Sequence, residues 1–224
     1  MLHKLYGALF RLGKGSCKGR SIVADKPIEH SDHSSGRARR VRADAQRNIA
    51  AVLEAAKAAF ADSGVDAPVR EIAARAGVGI GTVYRHFPQR SDLVVAVFRH
   101  EIDACADAAS TLAAEHAPGE ALARWLRRYT RLIATKRGLA AALHSGDPAF
   151  DALPGYFGQR MRPALQSLLE SASAAGEVRA DVNPHDLLHA VANLCMPADA
   201  ERSGHAHRMV DLLVDGLRYG ATVR

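Results

Sequence analysis

The sequence predicts an all-α protein, and three observations predict it. From Asp44 onward, apolar residues recur at helical spacing in every recognisable segment. No segment shows the strict alternation of a half-buried strand, and no repeat is present. Only 5% of the 224 residues are aromatic while alanine is abundant, a composition suited to closely packed helices. At 48% hydrophobic and 24% charged, the chain is an ordinary globular sequence.

The first 42 residues read differently. "GKGSCKGRS" and "EHSDHSSGRARR" are rich in Gly, Ser, His and Arg, with little apolar periodicity. Residues 1–41 are therefore expected to form a basic, disordered extension. A first helix then starts near Asp44, with Ile49, Val52, Leu53, Ala56 and Phe60 on one face. "DSG" stops it, and Gly64 suits the left-handed cap. Asp66 is placed to cap a second helix, with Pro68 in its first turn. Gly77 ends that helix, and a third runs from about Ile80 to Phe87. After Pro88 a long helix is expected over Arg90 to Glu115. "EALARWLRRYTRLIATK" is helical, "GDPAFDALPG" is a loop, and "RMRPALQSLLESASAAG" is a helix closed by Gly176. Asn183 caps the next helix, and "HRMVDLLVDGLRY" makes the last.

Charge is unevenly spread. Residues 1–90 hold 16 Lys/Arg and 8 Asp/Glu, whereas residues 91–224 hold 14 and 16. A basic front on a near-neutral back predicts an anionic partner for the front alone. The three cysteines, Cys17, Cys105 and Cys195, form no close pair, which excludes a Cys-rich zinc module and predicts reduced thiols in a cytoplasm. No run approaches the ~20 apolar residues of a membrane span, so no membrane partner is expected.

The stretch "GVGIGTVYRHF" decides between two chemistries. Alternating glycines can cradle a phosphate, but the dinucleotide fingerprint needs a preceding strand and a third glycine where Thr82 stands. The alternative is a helix-turn-helix. Ile72 and Ala73 then face inward, Gly77 supplies the positive φ of the turn, and Val78 plugs the core beneath it. On a helical wheel Ile80, Val83 and Phe87 point inward, Gly81, Thr82, Arg85 and His86 point out, and Tyr84 lies at the boundary. That outer face suits a DNA groove: Gly81 permits close approach and Arg85 can donate to guanine or phosphate.

On these residues, "RADAQRNIAAVLEAAKAAFADSGVDAPVREIAARAGVGIGTVYRHFPQRSDLVVAVF" from Arg42 to Phe98 resembles the DNA-binding domain of TetR-family transcriptional regulators. The resemblance implies three DNA-binding helices over residues 42–88. It further implies a C-terminal helical domain over residues 89–224 that binds an effector and forms a homodimer. It implies Thr82, Tyr84, Arg85 and His86 on the recognition helix. Arg42, Arg47 and Arg90 are then phosphate contacts. Two departures stand out: Pro68 replaces a hydroxyl residue of many relatives, and the 1–41 extension is not a family feature. The family function implied is a repressor of a double-stranded DNA operator, released by a small molecule. The rival readings are an architectural DNA-binding protein without effector and an all-α cytosolic enzyme. No Ser/His/Asp order or paired carboxylates call for catalysis, and no cofactor is expected.

Three further groups follow from the pattern. Trp125 and Tyr129 repeat at one-turn spacing, as do Phe157 and Met161. With His144 as polar fixture they are expected to line an effector pocket. Leu187, Leu188, Val191, Leu194, Met209, Val210, Leu213 and Leu217 spread over more than one stripe of the last two helices, which predicts a four-helix dimer interface. His185 and His189, with His205 and His207, lack a completing ligand, so no metal site is expected. Arg124, Arg127, Arg128 and Arg131 lie opposite Trp125 and Tyr129 and read as a solvated face, or as a source of one arginine for an acidic ligand.

Overall fold

A computed structural model describes residues 33–195 and 204–219, without the side chains of residues 33–42 and 137. The expectation of disorder therefore lies outside the described residues over positions 1–32. Nine α-helices and no strand occur among the described residues. They are α1 (His33–Ser63), α2 (Val69–Arg75), α3 (Ile80–His86), α4 (Arg90–Glu115), α5 (Pro118–Gly138), α6 (Ala140–Leu143), α7 (Leu153–Ala174), α8 (Pro184–Leu194) and α9 (His205–Tyr219).

Helix α1 starts earlier than its apolar stripe indicates. It takes in "SSGRARRVR", a stretch expected to be disordered. Arg and Ala are good helix formers, and a helix already nucleated downstream extends at little cost. The stripe itself is buried as expected, with Val52, Leu53, Ala56 and Phe60 between 0% and 8% exposed. Gly64 closes the helix at φ 76°, its N–H donating to the Phe60 carbonyl at 3.0 Å. Helix α2 begins two residues later than an Asp66 cap would place it. Pro68 is its N-cap rather than a first-turn residue, and no side chain caps it.

The α2–α3 turn is a Schellman arrangement. Gly77 sits at φ 66°, its N–H donates to the Ala74 carbonyl (3.2 Å), and the Val78 N–H donates to Ala73 (3.0 Å). At the start of α4 the Gln89 and Asp92 side chains each accept from the other's backbone N–H, a capping box that the sequence reading missed. The segment read as a loop, residues 146–155, holds a 3-10 turn at Pro148–Phe150, capped by the Asp147 carboxylate, and the first residues of α7, while the short α6 lies just before it. Asn183 caps α8 as expected, accepting from His185 N–H at 2.8 Å and Asp186 N–H at 3.4 Å. Asn183→Ala is expected to cost about 0.5–2 kcal/mol of stability, and Asn183→Asp to retain most of it. Urea titration followed by circular dichroism reads both, and an unchanged midpoint for the alanine variant refutes the cap.

Helix α4 is the spine. It packs along α5 and α7, and α1 lies across its first half. Helices α8 and α9 pack on each other and on the outer side of α5. One continuous buried cluster runs from Val52 on α1 to Leu217 on α9. A charged tie adds to it at the front: Lys57 of α1 meets Glu101 of α4 at 2.7 Å.

Candidate nucleic-acid interface

Helix α3 is held by one residue and shows the rest. Val83 is 1% exposed, against the α2 core of Ile72 and Ala73. Tyr84, Arg85 and His86 are exposed, Gly81 is exposed, and Thr82 is half-buried. Nothing lies within 4 Å of the position a Cβ on Gly81 would take, so the surface there is flat and open. Ile80 is a correction. It was expected inward but is 43% exposed, because a helix of seven residues needs only Val83 and the flanking Phe87 to fix it.

The flanking basic residues differ in their engagement. Arg47 is exposed and pairs with Asp44 one turn before it. Arg42 lies on α1, but its side chain is outside those described. Arg90 is half-buried, and its Nη1 donates to the carbonyls of Val65 and Ala67, the latter at 2.9 Å. One edge of this guanidinium therefore staples α4 to the α1–α2 loop, a role the sequence did not reveal because the partners are backbone atoms more than 20 residues away.

Behind α4, Trp125, Tyr129 and Phe157 pack together, and Met161 is buried one turn after Phe157 on α7. All are between 0% and 2% exposed. Trp125 stacks on Tyr129 with ring centroids 5.9 Å apart, and Tyr129 tilts against Phe157 at 6.2 Å. Their polar tips are satisfied by backbone: Trp125 Nε1–H donates to Cys105 O at 2.9 Å and Tyr129 O–H to Leu188 O at 3.4 Å. His144 is a correction. It is exposed, its Nδ1 lies 2.6 Å from Ala140 O, and it takes no part in the cluster. The short α6 turns it outward. Cys105 is packed core, and burial pushes its thiol up to about 12, far from a reactive thiolate.

A cavity of about 300 Å³ lies where the front meets the body, lined by Lys57, Phe60 and Ala61 of α1, Val97 of α4, and Ala134 and Leu139 beyond. Beside it Glu54, His100 and Glu101 bring three metal-type ligand atoms within 4.8 Å of one another. The Lys57 ammonium already serves as their cation. The His185 and His189 rings lie tilted against each other at 4.4 Å, and burial, then the neighbouring imidazole, lowers the His189 pKa.

On α8 and α9, Leu187, Leu188, Val191, Val210 and Leu217 are buried in the protomer's own core. Leu194, Met209 and Leu213 are half-buried. The sequence reading missed Leu212 and Tyr219, which stand 66% and 85% exposed. Met209, Leu212, Gly216 and Tyr219 follow i, +3, +7, +10, one outward stripe of α9.

A turn that presents a short exposed helix, on a basic front joined to a helical body, defines a helix-turn-helix DNA-binding regulator. Residues 52–97 match the family model described as bacterial regulatory proteins, tetR family, and residues 117–219 that of the SbtR-like transcriptional regulator C-terminal domain. A TetR transcriptional regulator of Streptomyces coelicolor is 36% identical, with 76% of this chain and 98% of that one covered and a TM-score of 0.68. A TetR regulatory protein of Mycobacterium vanbaalenii is 40% identical, with 80% and 99% covered and a TM-score of 0.62. The chain belongs to the TetR family of transcriptional regulators. An HTH-type transcriptional regulator of Staphylococcus aureus is 38% identical over 64 residues, which are 28% of this chain and 35% of that protein's length. Among the described residues no helix is long and apolar enough to cross a membrane.

Proposed function

We propose that the protein is a homodimeric cytoplasmic repressor that a small-molecule effector releases from its operator. Residues 42–88 read DNA, and residues 89–224 sense and dimerise. The observation that carries the reading is the exposed α3 face of Tyr84, Arg85 and His86 over a buried Val83. Thr82, Arg85 and His86 approach base edges with Gly81 allowing contact, while Tyr84, Arg42, Arg47 and the free edge of Arg90 hold phosphates. Selection of bound duplexes from a random pool tests this, and failure to enrich any motif refutes sequence-specific repression. Arg85→Ala is expected to weaken the selected site by about 1–3 kcal/mol while changing random DNA much less. Competition titrations at several salt concentrations distinguish this from an equal loss on all sequences, which would make Arg85 a phosphate contact.

The dimer forms through α8 and α9, on Leu194, Met209 and Leu213 together with Leu212 and Tyr219. Gly216 leaves the middle of the α9 stripe open, with nothing within 4 Å of an added Cβ, so a partner helix can approach closely. The buried leucines and valines of the same helices support that face from behind. The effector acts through the cluster of Trp125, Tyr129, Phe157 and Met161, which is closely packed here, so that an apolar molecule entering it must part side chains whose backbone hydrogen bonds tie α4, α5 and α8 together. Emission of the single tryptophan and operator affinity should change over one range of effector concentration, because the linkage is reciprocal.

A further inference from the structure

Helix α5 carries Arg124, Arg127, Arg128 and Arg131 at i, +3, +4, +7, which places four guanidinium groups on one face. The neighbouring wall is α4, where Ala104 and Ala108 are small. A groove of about 600 Å³ is left between the two helices. Neutralisation of this face is incomplete. Arg124 pairs with Glu120 at 2.8 Å, and Arg127 with Asp211 of α9 at 2.8 Å. The guanidinium groups of Arg128 and Arg131 make no ion pair or hydrogen bond with any other described residue. The one carboxylate in the groove wall, Asp107, is claimed from the far side by Arg160 at 2.6 Å. Like charges at this spacing repel, so the empty groove holds an excess of positive charge that an anion would relieve.

We infer that this groove binds a small organic phosphate of nucleotide size. Guanidinium groups recognise phosphate bidentately, and two uncommitted ones a turn apart match a compound with two or more phosphates. The volume lies within the range of small-molecule sites. Ala104, Ala108 and Leu112 supply an apolar wall for the organic body. None of Trp125, Tyr129, Phe157 and Met161 lines the groove, so the site is distinct from the effector cluster.

Isothermal titration of the full chain with ATP, pyrophosphate and adenosine tests the assignment. ATP is expected to bind, pyrophosphate more weakly and adenosine not measurably. Arg128→Ala with Arg131→Ala together should weaken ATP by about tenfold or more, with helical content and sedimentation unchanged. Arg85→Ala should leave ATP binding intact, which separates the groove from the DNA-reading surface. The assignment is overturned if ATP fails to bind at millimolar concentration, or if the double variant binds it normally. Pyrophosphate binding as tightly as ATP removes the organic body from the assignment and overturns that half. A double variant that loses random duplex DNA but keeps ATP makes the groove a nucleic-acid surface. One that changes oligomeric state makes it a subunit interface. Either result overturns the inference.

Discussion

Trp125→Ala is expected to destabilise the protein by about 3–5 kcal/mol, the cost of deleting a large aromatic from a packed core. The indole is 0% exposed, ties α5 to α4 and reaches α7 through Tyr129. It stacks on Tyr129 of its own helix, which leans on Phe157 of α7. Its N–H holds the Cys105 carbonyl on α4. Truncation opens a cavity that Tyr129 cannot fill, since its hydroxyl is anchored to Leu188 of α8. Trp125→Phe keeps most of the volume and loses the hydrogen bond, so its cost should be nearer 1 kcal/mol. The chain has one tryptophan, so the comparison must be read by circular dichroism in urea rather than by emission. A Trp125→Ala variant with wild-type stability refutes the packing described.

Lys136→Met is expected to remove a pH-dependent destabilisation of the fold, on the order of a few kcal/mol at pH 7. Lys136 lies on α5 and is 5% exposed, and burial lowers its pKa from the ordinary 10.5 to about 8. The fold therefore favours the neutral amine, while the unfolded chain holds the proton up to pH 10.5. Stability contributed at this position is full above pH 10.5, declines as pH falls toward 8, and is constant below that. The advantage of the methionine variant should accordingly be largest at pH 7 and shrink between pH 8 and 10.5. Urea midpoints of both proteins at several pH values give the difference directly. A gap that does not change with pH assigns the effect to packing alone.

What the sequence disclosed was whatever depends on neighbours in the chain. The stripe of Val52, Leu53, Ala56 and Phe60, the turn at Gly77, the anchor Val83 and the cap Asn183 are all local patterns, and each is found in the structure. Polar helix is harder to see. The first turns of α1 have no apolar face, so periodicity could not reveal them. The Gln89–Asp92 box escaped because Gln is not a usual cap residue. Tertiary partners were invisible from sequence. Nothing in "PQRSD" announces that Arg90 reaches the carbonyls of Val65 and Ala67. Likewise, nothing in "AALHSG" announces that a single short turn carries His144 away from Trp125. The apolar positions of α8 and α9 were legible as apolar, but their division between core and outer surface depends on how the helices are rotated.

The length of α4 has a mechanical consequence. Twenty-six residues at ~1.5 Å each make a rod of about 39 Å. Its distal half is embedded between α5 and α7, and its proximal end is riveted to the α1–α2 loop by Arg90. A pivot of about 5° at the embedded end sweeps the riveted end through about 3 Å. That sweep is close to the ~3.4 Å step between successive base pairs. In the proposed dimer two such rods, one per subunit, double the error, and a pair of recognition helices displaced by about two base steps no longer meets two successive major grooves in register.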